Sequence, residues 1–396
     1  MLSRSILLES AHATLRSAQG FNYEGHDPFD ALNSRLLQAT PLYRNKWVRL
    51  AWLQLGKRSP INLRLLLHVP KKRNPKGVGL FISGLLQDYR RTGEARYLQE
   101  ARELAEWLLT QRSDAQEWTY SCWGYHFDWQ ARAFYVPAGK PNIITTCYVA
   151  RALYELGQLS GDQSLIDIAL DAARFISAYL YTEGDGRCFY AYIPGEKAFV
   201  HNASLWGAAW CAFAGQQLGD AALVEQATRV ARQSVSEQAA DGSWVYGARH
   251  HHQFIDGFHT GYNLEALCLL RDALGTDEFD ACIAKGYRYY VATFFEPDGT
   301  AKYYNTSVYP IDMHSFAQAI FTLLKVGGTP ADQALCDKVV QRSIELMYLP
   351  DKGQFIYQRT RWITNRINYT RWTQAWAYYA LAFYNRYRAE LDHAKN

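Results

Sequence analysis

The chain lacks any uninterrupted apolar run of about 18 residues, which removes the signature of a membrane-spanning helix. Its first residues, Met1 to Gln19, carry Arg4, Glu9, His12 and Arg16 where a secretory signal would keep an apolar core, so a soluble, cytoplasmic chain is expected. There is no glycine-rich phosphate loop, no dinucleotide fingerprint and no serine nucleophile elbow, which argues against nucleotide-dependent and serine-hydrolase chemistry. No two of the seven cysteines have the spacing of a zinc knuckle or a redox pair. Most lie within apolar helical patterns, so buried free thiols are expected and no metal is called for. Net charge is also scarce. At +4 and scattered, it offers no basic face for nucleic acid. The triplet His250-His251-His252 reads as a solvated loop, because adjacent residues do not converge on one ion.

Aromatic residues, by contrast, are abundant: 28 Tyr, 18 Phe and 12 Trp in 396 residues. Such an excess suits stacking against sugar rings as well as a helical core. The first 20 residues read as one amphipathic helix, and a longer apolar helix is expected from Leu32 to about Leu55. Asp27 before Pro28 reads as a helix start. From there a period takes over. Helix openings recur near Gly77, Asn142, Asn202, Gly257, Asp312 and Arg371, at spacings of roughly 55 to 65 residues. The first five are each followed by a polar turn and a second helix. Between pairs stand Asp185-Gly186, Asp241-Gly242, Asp298-Gly299 and Lys352-Gly353, each leading into aromatic residues that read as a short strand.

Five helix pairs, plus a last helix without a follower and a first helix without a predecessor, make six hairpins if the two ends pair. The expected fold is all-α, an (α/α)6 toroid or six-hairpin barrel with short β segments in its connecting loops. It is read as one domain over residues 1–396, the N-terminal helix closing the ring against the C-terminal one. An open solenoid would need polar end caps that the sequence does not supply.

A toroid turns the openings of its inner helices toward one end, so polar residues about 60 places apart become neighbours. The densest opening is Asp256 to Glu265, with His259, Tyr262 and Asn263 on one side of a helical turn. The others bring Trp123, Asp128 and Trp129 with Asn142; His201, Asn202 and Trp206; Asp312 and His314; and Arg371 and Trp372. The four tryptophans suit pyranose stacking. Asn142, His201, Asn202, Asp256, Asn263, Glu265 and Arg371 suit a hydroxyl-rich ligand. Asp128, His259, Tyr262, Asp312 and His314 carry groups fit for acid–base work. Two chemistries remain open. In glycosidic hydrolysis two carboxylates act across the sugar. In uronate lyase or epimerase chemistry, Arg and Asn neutralise a sugar carboxylate while Tyr or His removes the neighbouring proton. A non-catalytic glycan-binding or scaffold subunit is the reading of another class.

Asp27-Pro28-Phe29-Asp30 with Leu32-Asn33-Ser34, Phe127-Asp128-Trp129, Pro141-Asn142-Ile143, the run His259 to Glu265, Asp312-Met313-His314 and Arg371-Trp372-Thr373-Gln374-Ala375-Trp376 resemble the VpsJ-like proteins of bacterial surface-polysaccharide gene clusters. That resemblance spans nearly the whole chain. It implies the (α/α)6 fold and a place in surface-glycan metabolism, in association with polysaccharide-biosynthesis machinery. No cofactor is expected, and the aromatic excess with the convergent polar openings points to an oligosaccharide or carrier-linked saccharide as partner. More distantly, architecture and length are similar to the N-acylglucosamine 2-epimerases, whose paired histidines His259 and His314 would match. Glycosidic hydrolysis is the first expectation for the reaction.

Overall fold

The helix ends are written in side chains. Asn74, Asn142, Asp256 and Asp312 each accept a backbone N–H of the turn they open, and Gly93, Gly161, Gly219 and Gly275 close helices in the left-handed conformation. Caps of the first kind satisfy amides that the helix itself leaves free, and the glycines end helices without a Cβ penalty. In the computed structural model, which describes residues 4–130 and 135–395, these signals delimit most of the ring.

The helices are α1 (Arg4–Gly20), α2 (Arg35–Gln38), α3 (Lys46–Arg58), α4 (Pro75–Thr92), α5 (Ala95–Thr110), α6 (Ile143–Ser160), α7 (Gln163–Phe175), α8 (His201–Leu218), α9 (Ala221–Ser236), α10 (Gly257–Leu274), α11 (Asp280–Thr293), α12 (Met313–Thr322), α13 (Pro330–Met347) and α14 (Ala375–Lys395). Helices α4, α6, α8, α10, α12 and α14 pack in that order, and α14 returns to α4, closing the ring. Outside them, α5, α7, α9, α11 and α13 each back the preceding inner helix, and α1 backs α14. The inner helices are buried nearly all round. The outer ones bury one stripe, as their one-sided apolar pattern requires. The expected (α/α)6 toroid is the observed fold. The N-terminal helix is found from Arg4, residues 1–3 lying outside the described ones.

Two local expectations are corrected. The stretch from Leu32 to Leu55 is not one helix. Ser34 caps α2 and Asn45 caps α3, with a 3₁₀ turn begun by Pro41 between them, so the chain restarts twice. The strands are not confined to the Gly-containing turns either. Asp185-Gly186 does join β3 (Tyr181–Gly184) to β4 (Arg187–Tyr190), and Lys352-Gly353 joins β6 (Tyr348–Leu349) to β7 (Gln354–Phe355). At Asp241-Gly242 the backbone spends its bonds locally, Ala239 N–H on Ser243 O, and Trp244 turns inward, so no ladder forms. At Asp298-Gly299 only an isolated bridge between Phe295 and Ala301 is made. Unforeseen strands lie elsewhere. β1 (Trp129–Gln130) pairs with β2 (Tyr135–Val136), and β5 (Ile311–Asp312), β8 (Gln358–Arg359) and β9 (Thr364–Asn365) form a three-stranded sheet. All seven cysteines are free, six of them buried and Cys188 half-buried.

Ring closure depends on a close approach of α4 to α14. A Cβ on Gly84 would stand 2.5 Å from Tyr378 Cε1, and the Tyr378 hydroxyl donates to Asp88 Oδ2 at 3.0 Å. Gly84→Ala should therefore cost about 1–3 kcal/mol in urea unfolding. Gly20→Ala, where a Cβ meets nothing within 4 Å, should be neutral or slightly stabilising. Equal effects of the two substitutions would mean that the α4–α14 contact does not limit stability.

Candidate active site

The openings of the inner helices line one cavity of about 520 Å³: Lys76 of α4, Ile144 of α6, Asn202 of α8, Phe258, His259 and Tyr262 of α10, His314 of α12, and Arg371 and Trp372 of the π-turn Thr370–Gln374 that leads into α14. The wall is completed by loops between hairpins and by the excursion between α1 and α4, through Phe29, Gln54 and Lys57.

At the start of α10, Asp256 does two jobs. Its Oδ1 accepts the His259 backbone N–H at 2.8 Å, and its Oδ2 accepts His259 Nδ1–H at 2.7 Å. The second bond fixes the tautomer and leaves the Nε2 lone pair of His259 free for the cavity it lines. One turn on, the Tyr262 hydroxyl is hydrogen bonded to His314 Nε2. The His314 ring lies stacked on Trp376 at 4.5 Å and on Phe258 at 4.9 Å. Burial, then the charges of Lys76 and Arg371, hold His314 well below the ordinary histidine pKa, so it is neutral. Burial likewise pushes Tyr262 well above the usual tyrosine value, so it keeps its proton.

Arg371 is held by Asp27 in a two-bond ion pair, Nε to Oδ2 at 2.5 Å and Nη2 to Oδ1 at 2.8 Å, with its guanidinium 5.0 Å from the Tyr125 ring centre. Asp27, read as a helix start, is thus the counter-ion of a cavity arginine. Arg249 is paired with Glu196 at 2.5 Å. Two cations of the lining have no such partner: among the described residues no carboxylate stands within ion-pair distance of Lys76 or Lys57. Lys76 lies instead over the Tyr148 ring at 4.4 Å, and Lys57 over Phe29 at 4.6 Å. Burial and then Arg371 push Lys76 well below the usual lysine pKa, against the pull of Asp27.

Of the residues singled out from the sequence, Trp129, Asn202, Asp256, His259, Tyr262, His314, Arg371 and Trp372 line this cavity. The rest do not. Asp312 is buried beneath the wall, taking the His314 N–H at 2.8 Å and Trp372 Nε1–H at 3.3 Å. Asp128 is held outside by the Tyr43 hydroxyl and the Ala138 N–H. Trp123 and Trp206 are core residues, Trp123 donating to Leu108 O at 2.9 Å. Asn142 caps α6, and Asn263 is buried within α10. His201 is packed on Phe199, and burial lowers its pKa to about 4. Glu265 is buried in an ion pair with Lys325 at 2.6 Å. Burial opposes its charge, but Lys325 and Arg151 hold its pKa below the ordinary range. Helical neighbours of a site residue therefore often turn inward, because an inner helix of a toroid is buried on every side.

The sequence reading also missed residues that do line the wall: Lys57, Lys76, Glu196, Arg249, and His251 and His252 of the triplet taken for a solvated loop. One signal was available for Lys76. A cation in the first turn of a helix opposes the macrodipole, and such a placement asks for a reason.

No family model and no curated protein matches the sequence. Solved structures do match its shape. The cellobiose 2-epimerase of Bacillus thermoamylovorans covers 81% of this chain and 90% of its own, with a TM-score of 0.61 at 12% identity. An unsaturated glucuronyl hydrolase specific for heparin covers 98% of this chain and 97% of its own, with a TM-score of 0.64 at 12% identity. A GH76 α-mannanase of Bacteroides thetaiotaomicron covers 80% and 87%, with a TM-score of 0.59 at 12% identity. Identities this low establish a shared six-hairpin toroid.

Asp312 gives a pH test of this geometry. Burial pushes its carboxyl up to about 7, against the His314 N–H, Trp372, Gln358 and Lys57. The unfolded chain, with an aspartate pKa of about 3.9, releases this proton first as pH rises, so the contribution is full in acid and is lost as pH climbs to about 7. In urea unfolding from about pH 4 to 8, Asp312→Asn should therefore gain on the parent by up to about 4 kcal/mol as pH rises. A pH-independent difference would mean that Asp312 titrates normally.

Proposed function

We propose that the cavity binds an acidic saccharide and transfers a proton at the carbon beside its carboxylate, as in uronate epimerisation or β-elimination. The observation that carries this is the pairing of His259 on Asp256 and Tyr262 on His314 along one cavity that Lys76 and Lys57 also line. Aromatic walls formed by Trp129, Trp372, Tyr192 and Tyr246 suit sugar rings. Structures sharing this fold include proteins described as acting on saccharides. The likeness of its motifs to VpsJ-like proteins supports a place in cytoplasmic surface-glycan metabolism, on an oligosaccharide or carrier-linked saccharide.

In this reading Lys76, Arg371 and Asn202 take the sugar carboxylate and stabilise the charge that develops on it when the neighbouring C–H is broken. His259 Nε2 receives that proton, and Asp256 steadies the imidazolium. Neutral Tyr262 then returns a proton to the same carbon from the other side, inverting it. Alternatively, it protonates the departing glycosidic oxygen as a C=C bond forms. Glycosidic hydrolysis is the second reading, and less supports it. It needs one carboxylate free to activate water and another protonated as acid. Of the carboxylates near the cavity, Asp256 and Glu196 are engaged, Asp312 is buried and Asp128 is turned away.

Oligouronides incubated in D2O should take up deuterium at the carbon beside the carboxylate, read by mass and NMR. His259→Ala should lower that exchange about 10²–10⁴-fold with little change in melting temperature. Lys76→Met should raise KM for acidic substrates more than for neutral ones. Cleavage of neutral oligosaccharides without exchange would favour hydrolysis, and binding with neither would favour a glycan-binding subunit.

A further inference from the structure

From Arg35 to Arg73 the chain has ten lysines and arginines, and between Asp30 and Asp88 it has no acidic residue at all. This stretch also wears its apolar residues outward. One face of α3, with Val48, Trp52 and Leu53, packs on Ala31, Leu32 and Leu37. The opposite face carries Trp47, Ala51, Leu55 and Arg58, at i, i+4, i+8 and i+11, and all four are exposed. Trp47 is 73% exposed and Leu66, in the turn that follows, 72%. Six of the ten basic residues, Arg35, Arg44, Lys46, Arg58, Lys71 and Lys72, are exposed.

A second element joins the same rim. The β8–β9 hairpin puts Trp362, 83% exposed, and Ile363 at its tip, between exposed Arg361 and Arg366. Asn365 Nδ2–H of this hairpin donates to Ser59 O, and Arg64 ties the Leu65-Leu66 turn to the end of α3 through Gly56 O at 3.3 Å. The hairpin, α3 and the turn therefore meet around one point. The rim also borders the cavity, since Gln54 and Lys57 of α3 line it and Gln358 of β8 donates to Asp312.

We propose that this rim docks the protein on an anionic phospholipid bilayer, with Trp47 and Trp362 at the headgroup level, Leu55, Leu66 and Ile363 reaching the acyl boundary, and the basic residues on lipid phosphates. Apolar tips set among cations, on a stretch of chain without an acidic residue, match that partner. A second copy of the chain is a poor match, because a two-fold contact through this face would set its cations against each other. Nucleic acid would use the cations but leave the aliphatic tips unused. Among the described residues no helix is long and apolar enough to cross a membrane, so the contact is interfacial. Docking of this kind would bring the cavity mouth to the plane where a carrier-linked saccharide emerges, and it does not depend on the reaction proposed above.

The test is cosedimentation of the full chain with vesicles of phosphatidylcholine alone or with added phosphatidylglycerol. Binding should require the anionic lipid, weaken with added salt, and fall at least about tenfold in the Trp47→Glu, Leu66→Glu, Trp362→Glu triple variant at unchanged melting temperature. If that variant does not fold, quenching of the parent's tryptophan fluorescence by brominated lipids replaces it and should be seen only with anionic vesicles. The proposal is overturned if the parent stays in the supernatant with both vesicle types. It is overturned equally if light scattering shows a dimer that these substitutions dissolve, or if RNA displaces it from vesicles and binds it as tightly.

Discussion

The two-bond ion pair between Asp27 and Arg371 is the joint on which the rest depends. Both side chains are buried, and they stand 344 residues apart in sequence. The pair fastens the excursion between α1 and α4 to the opening of the last inner helix. Beside it, Asp30 holds Arg64, which also donates to the Tyr369 hydroxyl at 3.0 Å. Removing one member of such a pair leaves an uncompensated charge in a dry setting, a loss of about 3–5 kcal/mol. Gly77 belongs to the same joint, since a Cβ there would meet Arg371 Cβ at 3.2 Å. The open end of the ring and the shape of its cavity are thereby fixed together.

Around that joint the electrostatics point one way. The inner helices present their N-terminal ends, which carry partial positive charge, to the cavity. Lys57 and Lys76 also line it, burial pushing both below the usual lysine pKa against the pull of Asp312 and Asp27, and His314 is held neutral. The His259–Asp256 and Tyr262–His314 pairs stand in that setting.

The same excursion has an inner and an outer face with different partners. Inward, it supplies Phe29, Gln54 and Lys57 to the cavity wall. Outward, it shows aromatic and aliphatic side chains among cations, a surface that water does not favour and that an interface between water and lipid does.

The sequence by itself determined the ring. The period of the openings, the Asn and Asp caps and the terminal glycines are local signals, and five of the six inner helices begin within two residues of where they point, the last being preceded by a π-turn over Thr370–Gln374. It determined much of the dense cluster too, because His259 and Tyr262 share a helical face whatever surrounds them. What it left open depended on contacts between distant segments. Asp128 and Trp129 are adjacent, yet one is bound outside by Tyr43 and the other lines the cavity. Trp123 and Trp206 look like stacking platforms and are core: Trp206 sits on a helix enclosed on all sides, and Trp123, in the segment after α5, turns its indole back to Leu108 O. Asp312 became a buried support for Trp372, and Asp27 a counter-ion, only once the ring had closed. Periodicity is a property of one segment and can be read from it. Which face of a buried helix meets a cavity, and which charge finds a partner, is decided by segments hundreds of residues away.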